Sequence, residues 1–301
     1  MSASQPPNRA LSGLLMAAAG ATLFASKGLF SKALFQQGVD YQTLTVLRAL
    51  LALPLFGALA VYRGLRLRGL PAAAVLQACF AGVLCYGAGA TIDFHALQLV
   101  DISLERSLLF SYPAMVVLWT AVVKRRWPSL PVLGALVLTW LGILLVVGGF
   151  DAAAWQRNLH GALMVLFCAT TTATYFLLGE RCVVQMGSTG FTIVAMTAAT
   201  VAVVLGYLVT HRLDAVTHVS GQGWLLLLAL AVLCMFLPTL LQAEGIQRVG
   251  AVRGALAGTV GPPASLLFGT LLLGERVGPA QLVGTLWVVA GIVVLSRPSA
   301  T

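Results

Sequence analysis

A few ionisable side chains stand inside otherwise apolar runs, where a charge is costly and is therefore a candidate for function. Lys27 offers a cation that can hold a solute carboxylate or pair with a buried acid. Its alternative is to snorkel to the outer interface, as Lys32 is expected to do. Asp93 follows Tyr86 by seven residues and shares its helical face, with Gly89 between them. Asp93 and His95 diverge by about 200° on a regular helix, so only one can face a common centre unless the glycines distort it. Asp93 and Tyr86 make the better pair, which leaves His95 as an interhelical hydrogen-bonding group; either acid or imidazole can carry protons. Gln242 shares a face with Pro238, with Glu244 on the other side. Glu105 and Arg106 pair with each other or reach water, and Arg48 anchors its helix near the outer interface.

Aromatic and hydroxyl groups at Tyr86, Tyr112, Thr171 and Tyr175 complete a candidate lining. With Lys27, Asp93, His95 and Gln242 they describe an apolar cavity with a few polar handles, suited to small amphipathic or zwitterionic solutes. Packing alone is the competing role for each aromatic. The five cysteines, Cys79, Cys85, Cys168, Cys182 and Cys234, have neither CxxC nor Cys/His spacing. No metal, cofactor or catalytic residue is expected, and buried small hydrophobes are the simpler reading of the thiols.

The elements that position these residues follow from composition. Of 301 residues, 59% are hydrophobic and 9% charged, against roughly 25% charged in a soluble domain. Mean hydropathy is +0.95, so the natural solvent is lipid and the expected fold is an all-α polytopic bundle. Ten runs lie near 10–34, 42–62, 71–97, 102–123, 130–149, 160–180, 190–210, 222–246, 252–273 and 278–296. They are too long, and alternate too little, for barrel strands.

The net charge of +9 forms no stripe with interleaved aromatics, so nucleic acid is not the expected partner. Ten spans put both termini on one side, together with Arg9, Arg63, Arg66, Arg68, Lys124, Arg125, Arg126, Arg181, Arg248, Arg253 and Arg297. That is 11 of 18 basic residues, and the positive-inside rule makes this side the cytoplasm. Trp127, Trp155 and Trp224 sit near run ends, as interface residues do.

The chain also repeats itself. Leu11, Gly13, Met16 and Ala25 recur 148 residues later as Leu159, Gly161, Met164 and Ala173. Gln98, Val100, Pro113 and Gly134 recur as Gln247, Val249, Pro263 and Gly284, at offsets of 149 or 150. Two units, 1–150 and 151–301, each holding an odd number of spans, enter the membrane from opposite sides. The expectation is a five-plus-five inverted repeat with a solute path between the halves, in which one chain suffices. Helix breakers at Gly87, Gly89, Pro113, Pro238, Pro262 and Pro263 are the candidate hinges, against static kinks that only aid packing.

This plan resembles the drug/metabolite transporter superfamily in its EamA branch. Pro113 with Lys124-Arg125-Arg126, and Pro263 with Leu273-Gly274-Glu275-Arg276, look like that branch's proline followed by a Gly-Glu-Arg loop. The first copy has lost the Gly-Glu pair. Within the branch the chain looks most like the YddG-type amino-acid exporters. The resemblance implies efflux of aromatic and other amino acids across a cell inner membrane, through a cavity lined by spans 1, 3, 4, 6, 8 and 9. An exporter of another solute (a nucleoside, sugar derivative or toxic compound) is the nearer alternative. An intramembrane enzyme is the farther one: aspartate-rich metal motifs are missing, the spacing of His95 and Asp101 makes no acyltransferase motif, and no histidine is placed beside Ser265.

Overall fold

The computed structural model describes residues 7–65, 69–125, 130–147, 151–210, 219–258, 261, 264, 268–271, 274 and 276–296. All regular structure among them is helical. The helices are α1 (Pro7–Ala25), α2 (Lys27–Gln36), α3 (Tyr41–Tyr62), α4 (Ala72–Gly82), α5 (Ala90–Leu99), α6 (Ile102–Leu109), α7 (Tyr112–Lys124) and α8 (Leu130–Val147). They continue as α9 (Ala152–Thr210), α10 (Gly221–Ala231), α11 (Leu237–Ala257) and α12 (Pro279–Ser296). Six stretches are long and apolar enough to cross a membrane, with two shorter apolar helices beside them.

The bundle is inverted in polarity relative to a water-soluble core. Leu76, Phe80, Leu225 and Leu286 face outward, whereas Lys27, Arg48, Asp93, Glu105 and Arg106 are buried. In water such a surface would aggregate; in lipid it is the solvated face. The interior is built largely of alanine and glycine, which let helix backbones approach closely.

Five contacts of this kind organise the packing. The Gly13 face of α1 abuts Val249 of α11, and the Gly161 face of α9 abuts Val100. Gly142 of α8 lies against Gly284 of α12, and Gly291 of α12 lies against Ala135 and Thr139 of α8. Gly82 of α4 presses on the Ala195 backbone of α9. A side chain at any of these glycines would push two helices apart.

The predicted hinges take several forms. Gly87 and Gly89 do not end the third run: Val83–Gly89 is a π-helical segment that joins α4 to α5. A second π segment, Val232–Phe236, lies 149 residues on and leads into Pro238 in the first turn of α11. Pro113 likewise sits in the first turn of α7, where its missing N–H costs nothing. Pro262 and Pro263 lie outside the described residues. Breaks that the sequence does not announce occur at Ser26, between α1 and α2, and at two glycines. Gly187 (φ 72°, ψ 164°) kinks α9, and Gly250 (φ 83°, ψ 168°) kinks α11. The runs near 160–180 and 190–210 are therefore joined through one non-helical residue, with no loop between them.

Positive φ values recur with the same period. Gly38 (φ 83°) precedes Gly187 by 149 residues, and Arg125 (φ 50°) precedes Gly274 (φ 66°) by 149.

Candidate functional site

The break at Ser26 starts a second helix at Lys27 and aims its side chain inward. Lys27 is 4% exposed, so it does not snorkel. Its Nζ donates to Asp93 Oδ2 on α5, and to Glu105 Oε1 on α6 at 3.3 Å. Arg106 Nε lies 3.3 Å from Glu105 Oε2. Two residues before the interruption at Ser26, the Phe24 carbonyl accepts from Arg106 Nη2 at 2.7 Å. Four helices, α1, α2, α5 and α6, are thus tied by one charged network. Glu105 and Arg106 pair as their adjacency suggests, but both are buried and neither reaches water.

Arg48 departs furthest from the sequence reading. It is 1% exposed, not at an interface, and its guanidinium carbon lies 4.6 Å from the Phe94 ring centroid. Its Nε and Nη2 have no hydrogen-bond partner among the described residues. Asp93 Oδ1 and the Tyr175 hydroxyl are buried and unpartnered in the same way.

These groups border a cavity of about 80 Å³. Lys27, Arg48, Asp93 and Arg106 supply its charged wall. The π segment contributes Cys85 and Tyr86, and Tyr112 enters from α7. From the second half of the chain come Cys168, Thr171 and Tyr175 of α9 and Gln242 of α11. The aromatic wall is continuous: Tyr86 meets Tyr175 edge-on at 5.1 Å and Phe24 at 6.2 Å, and Tyr112 lies 5.2 Å from Phe176. Tyr112 donates its hydroxyl to the Ala255 carbonyl at 3.2 Å. Thr171 is held by the Cys168 carbonyl at 2.8 Å, and its side chain abuts Gly89. A π segment widens the helix at this wall, a common device at functional sites.

Seven of the eight residues singled out for a cavity therefore converge: Lys27, Tyr86, Asp93, Tyr112, Thr171, Tyr175 and Gln242. His95 does not. It stacks on Tyr41, with ring centroids 4.4 Å apart, on the other side of α5 from Asp93. Arg48 and Arg106 are the members that sequence reasoning missed. Glu244 is also outside this site; it binds Arg248 at 2.7 Å and Ser188 at 2.5 Å, and Arg248 donates to Ser12 at 2.8 Å.

The charged members all come from the first half of the chain, and for two of them, Lys27 and Asp93, the position 148 or 149 residues on carries a neutral polar group that also lines the cavity. Tyr175 stands 148 residues after Lys27, and Gln242 stands 149 after Asp93. All four line the cavity. A dry cavity of about 150 Å³ takes up benzene. This one, in the present conformation, holds small polar groups and must expand to admit an aromatic ring.

Comparison with known proteins gives three findings. The sequence profile of the EamA-like transporter family matches twice, over residues 11–148 and 159–297. A Bacillus subtilis (strain 168) protein described as the uncharacterized transporter YcbK is 33% identical over 279 residues, which span 91% of this chain and 89% of that protein. A crystal structure of another protein superposes with a TM-score of 0.70 over 95% of this chain and 96% of that one, at 17% identity. At that identity the likeness concerns the fold.

Proposed function

The chain belongs to the EamA-like transporter family, and from that premise we propose that it exports amino acids, aromatic and other neutral ones among them, by alternating access. It is a multi-pass membrane transporter and not an enzyme. The proposed setting is a cell inner membrane with both termini in the cytoplasm, where the positive-inside count puts them. The YddG-type exporters are the relatives that this reading resembles.

The proposed architecture is ten spans in two inverted units, 1–150 and 151–301. Its support is the recurrence of contacts at one offset. Gly13 against Val249 and Gly161 against Val100 are the same contact with the halves exchanged, as are Gly142 against Gly284 and Gly291 against Ala135. The π segments and the positive-φ positions recur in step. Two inverted halves enclose a cavity at their seam, and exchanging their conformations moves its opening from one side to the other.

The observation that carries the reading is a cavity where Lys27 and Tyr175, Asp93 and Gln242, each pair one repeat apart, meet. Its charged and aromatic walls suit a solute with a charged head and an apolar body. In operation, the halves would rock about this site while Gly87, Gly89, Pro113, Pro238, Pro262 and Pro263 accommodate the bending. The solute is the expected partner, with lipid around the bundle and a monomer as the working unit.

Purified protein in liposomes should release labelled phenylalanine faster than protein-free vesicles. Flux no faster than in protein-free vesicles defeats amino-acid export. A competition panel of nucleosides and sugar derivatives then separates this reading from export of another solute.

A further inference from the structure

Among the described cations of the cavity, Arg48 is the one with two buried donors, Nε and Nη2, that lack a hydrogen-bond partner; Arg106 has one such donor, its Nε. Lys27 is held by Asp93 and Glu105, and Arg106 by the Phe24 carbonyl and Glu105. Arg48 lies over the face of the Phe94 ring and in the field of the Asp93 carboxylate, and both Nε and Nη2 lack acceptors among the described residues. A buried guanidinium without acceptors forfeits its hydration and recovers little of it from an aromatic face. Around the cavity the described cations Lys27, Arg48 and Arg106 outnumber the described acids Asp93 and Glu105 by one.

We infer that Arg48 is the anchor for a carboxylate on the transported solute, so that the substrates of this cavity are carboxylic acids, amino acids among them. The inference rests on the proposal that this cavity is the solute site. Two adjacent guanidinium donors match the two oxygens of a carboxylate, which a halide or an amide cannot reproduce. One negative charge also cancels the surplus, whereas a phosphate dianion would overshoot it. The Phe94 ring keeps the guanidinium plane in place while the site is empty. The solute's own ammonium, where it has one, is not required for this contact.

The test is binding to the full-length protein in detergent, read as the thermal unfolding midpoint at constant ionic strength. Butyrate, butyramide and sodium chloride are the probes. Butyrate should raise the midpoint, and butyramide and chloride should not. The rise should vanish in Arg48→Gln and shrink in Arg48→Lys, which keeps the charge and loses the fork. No rise with butyrate, an equal rise with butyramide or chloride, or an undiminished rise in Arg48→Gln overturns the inference. The wild-type series decides the matter even if neither variant folds. The liposome assay with phenylalanine is a separate readout: lost flux beside an intact butyrate response removes amino-acid export and leaves the carboxylate anchor standing.

Discussion

Lys27 donates to Asp93 across the gap between α2 and α5, in the same cavity where Tyr175 and Gln242, 148 and 149 residues further on, lie. Among the described residues that line the cavity, those from 1–150 supply the charge and those from 151–301 are neutral. In hydrocarbon an isolated lysine or aspartate is costly, and the pair exists because each supplies the other's counter-charge. Glu105 and Arg106 extend the same logic to α6.

Removing one partner should then be worse than removing both. Lys27→Ala leaves Asp93 and Glu105 facing each other with one cation fewer, and we expect a loss of about 3–5 kcal/mol. A snorkelling lysine would give no such loss. Lys27→Met combined with Asp93→Asn removes the charges together and should recover most of the stability. Thermal unfolding in detergent measures both; a single variant as stable as the parent would break the argument.

The face shared by Tyr86 and Asp93 is legible from a spacing of seven, and the exclusion of His95 is legible from the helical angle between it and Asp93. The second inference holds because α5 is regular from Ala90, whereas Tyr86 lies inside the π segment and meets Asp93 at the cavity across that irregular turn. The position of Arg48 is not legible. It lies seven residues into α3, where a long side chain beside an interface would normally snorkel. Only the burial of that turn and the position of Phe94 turn it inward. Arg106 is hidden for a related reason: its partner is the backbone carbonyl of Phe24, beside the break at Ser26, and backbone breaks leave little trace in composition. The proposed repeat, by contrast, is legible partly because Gly13, Gly161 and Gly284 sit at contacts too tight for a side chain.

Those glycines allow a steric test of the duplicated design. A Cβ at Gly142 would stand 2.6 Å from the Gly284 carbonyl oxygen, and one at Gly291 would stand 2.7 Å from that of Ala135. Nothing lies within 4 Å of a Cβ at Gly134 on the same helix as Gly142. Gly142→Ala and Gly291→Ala should each cost about 1–3 kcal/mol by separating α8 from α12. Gly134→Ala should be neutral or slightly stabilising, since alanine is the better helix former. Equal midpoints for all three would show that the glycine seam does not govern this contact.

The proposed orientation is tested with single cysteines in a background free of the five native ones. Gln36 and Asp151 fall on the outer side in this arrangement, and Arg63 and Arg181 on the cytoplasmic side; all four are exposed. A maleimide that does not cross the membrane should label cysteine at 36 and 151 in intact cells. It should reach 63 and 181 only after lysis. Labelling of 181 from outside would break the inversion, because that connection belongs to the second unit and fixes its direction of entry.

The two kinked glycines set a condition on folding that is conformational and independent of packing. With φ of 72° and 83° and ψ near 165°, Gly187 and Gly250 occupy a region essentially reserved for glycine. At Gly187 the constraint is purely conformational, since nothing lies within 4 Å of an added Cβ. Gly187→Ala should therefore cost about 1–3 kcal/mol through backbone strain alone. At Gly250 the added Cβ would also stand 2.8 Å from Glu180 Oε1, although that flexible carboxylate can move aside. Gly57 supplies the control: it is helical, equally uncrowded, and its alanine variant should be as stable as the parent. If Gly187→Ala matched Gly57→Ala in unfolding midpoint, α9 would have to pass through residue 187 by a backbone path open to any residue. The single-residue junction between its two halves would then lose its physical basis.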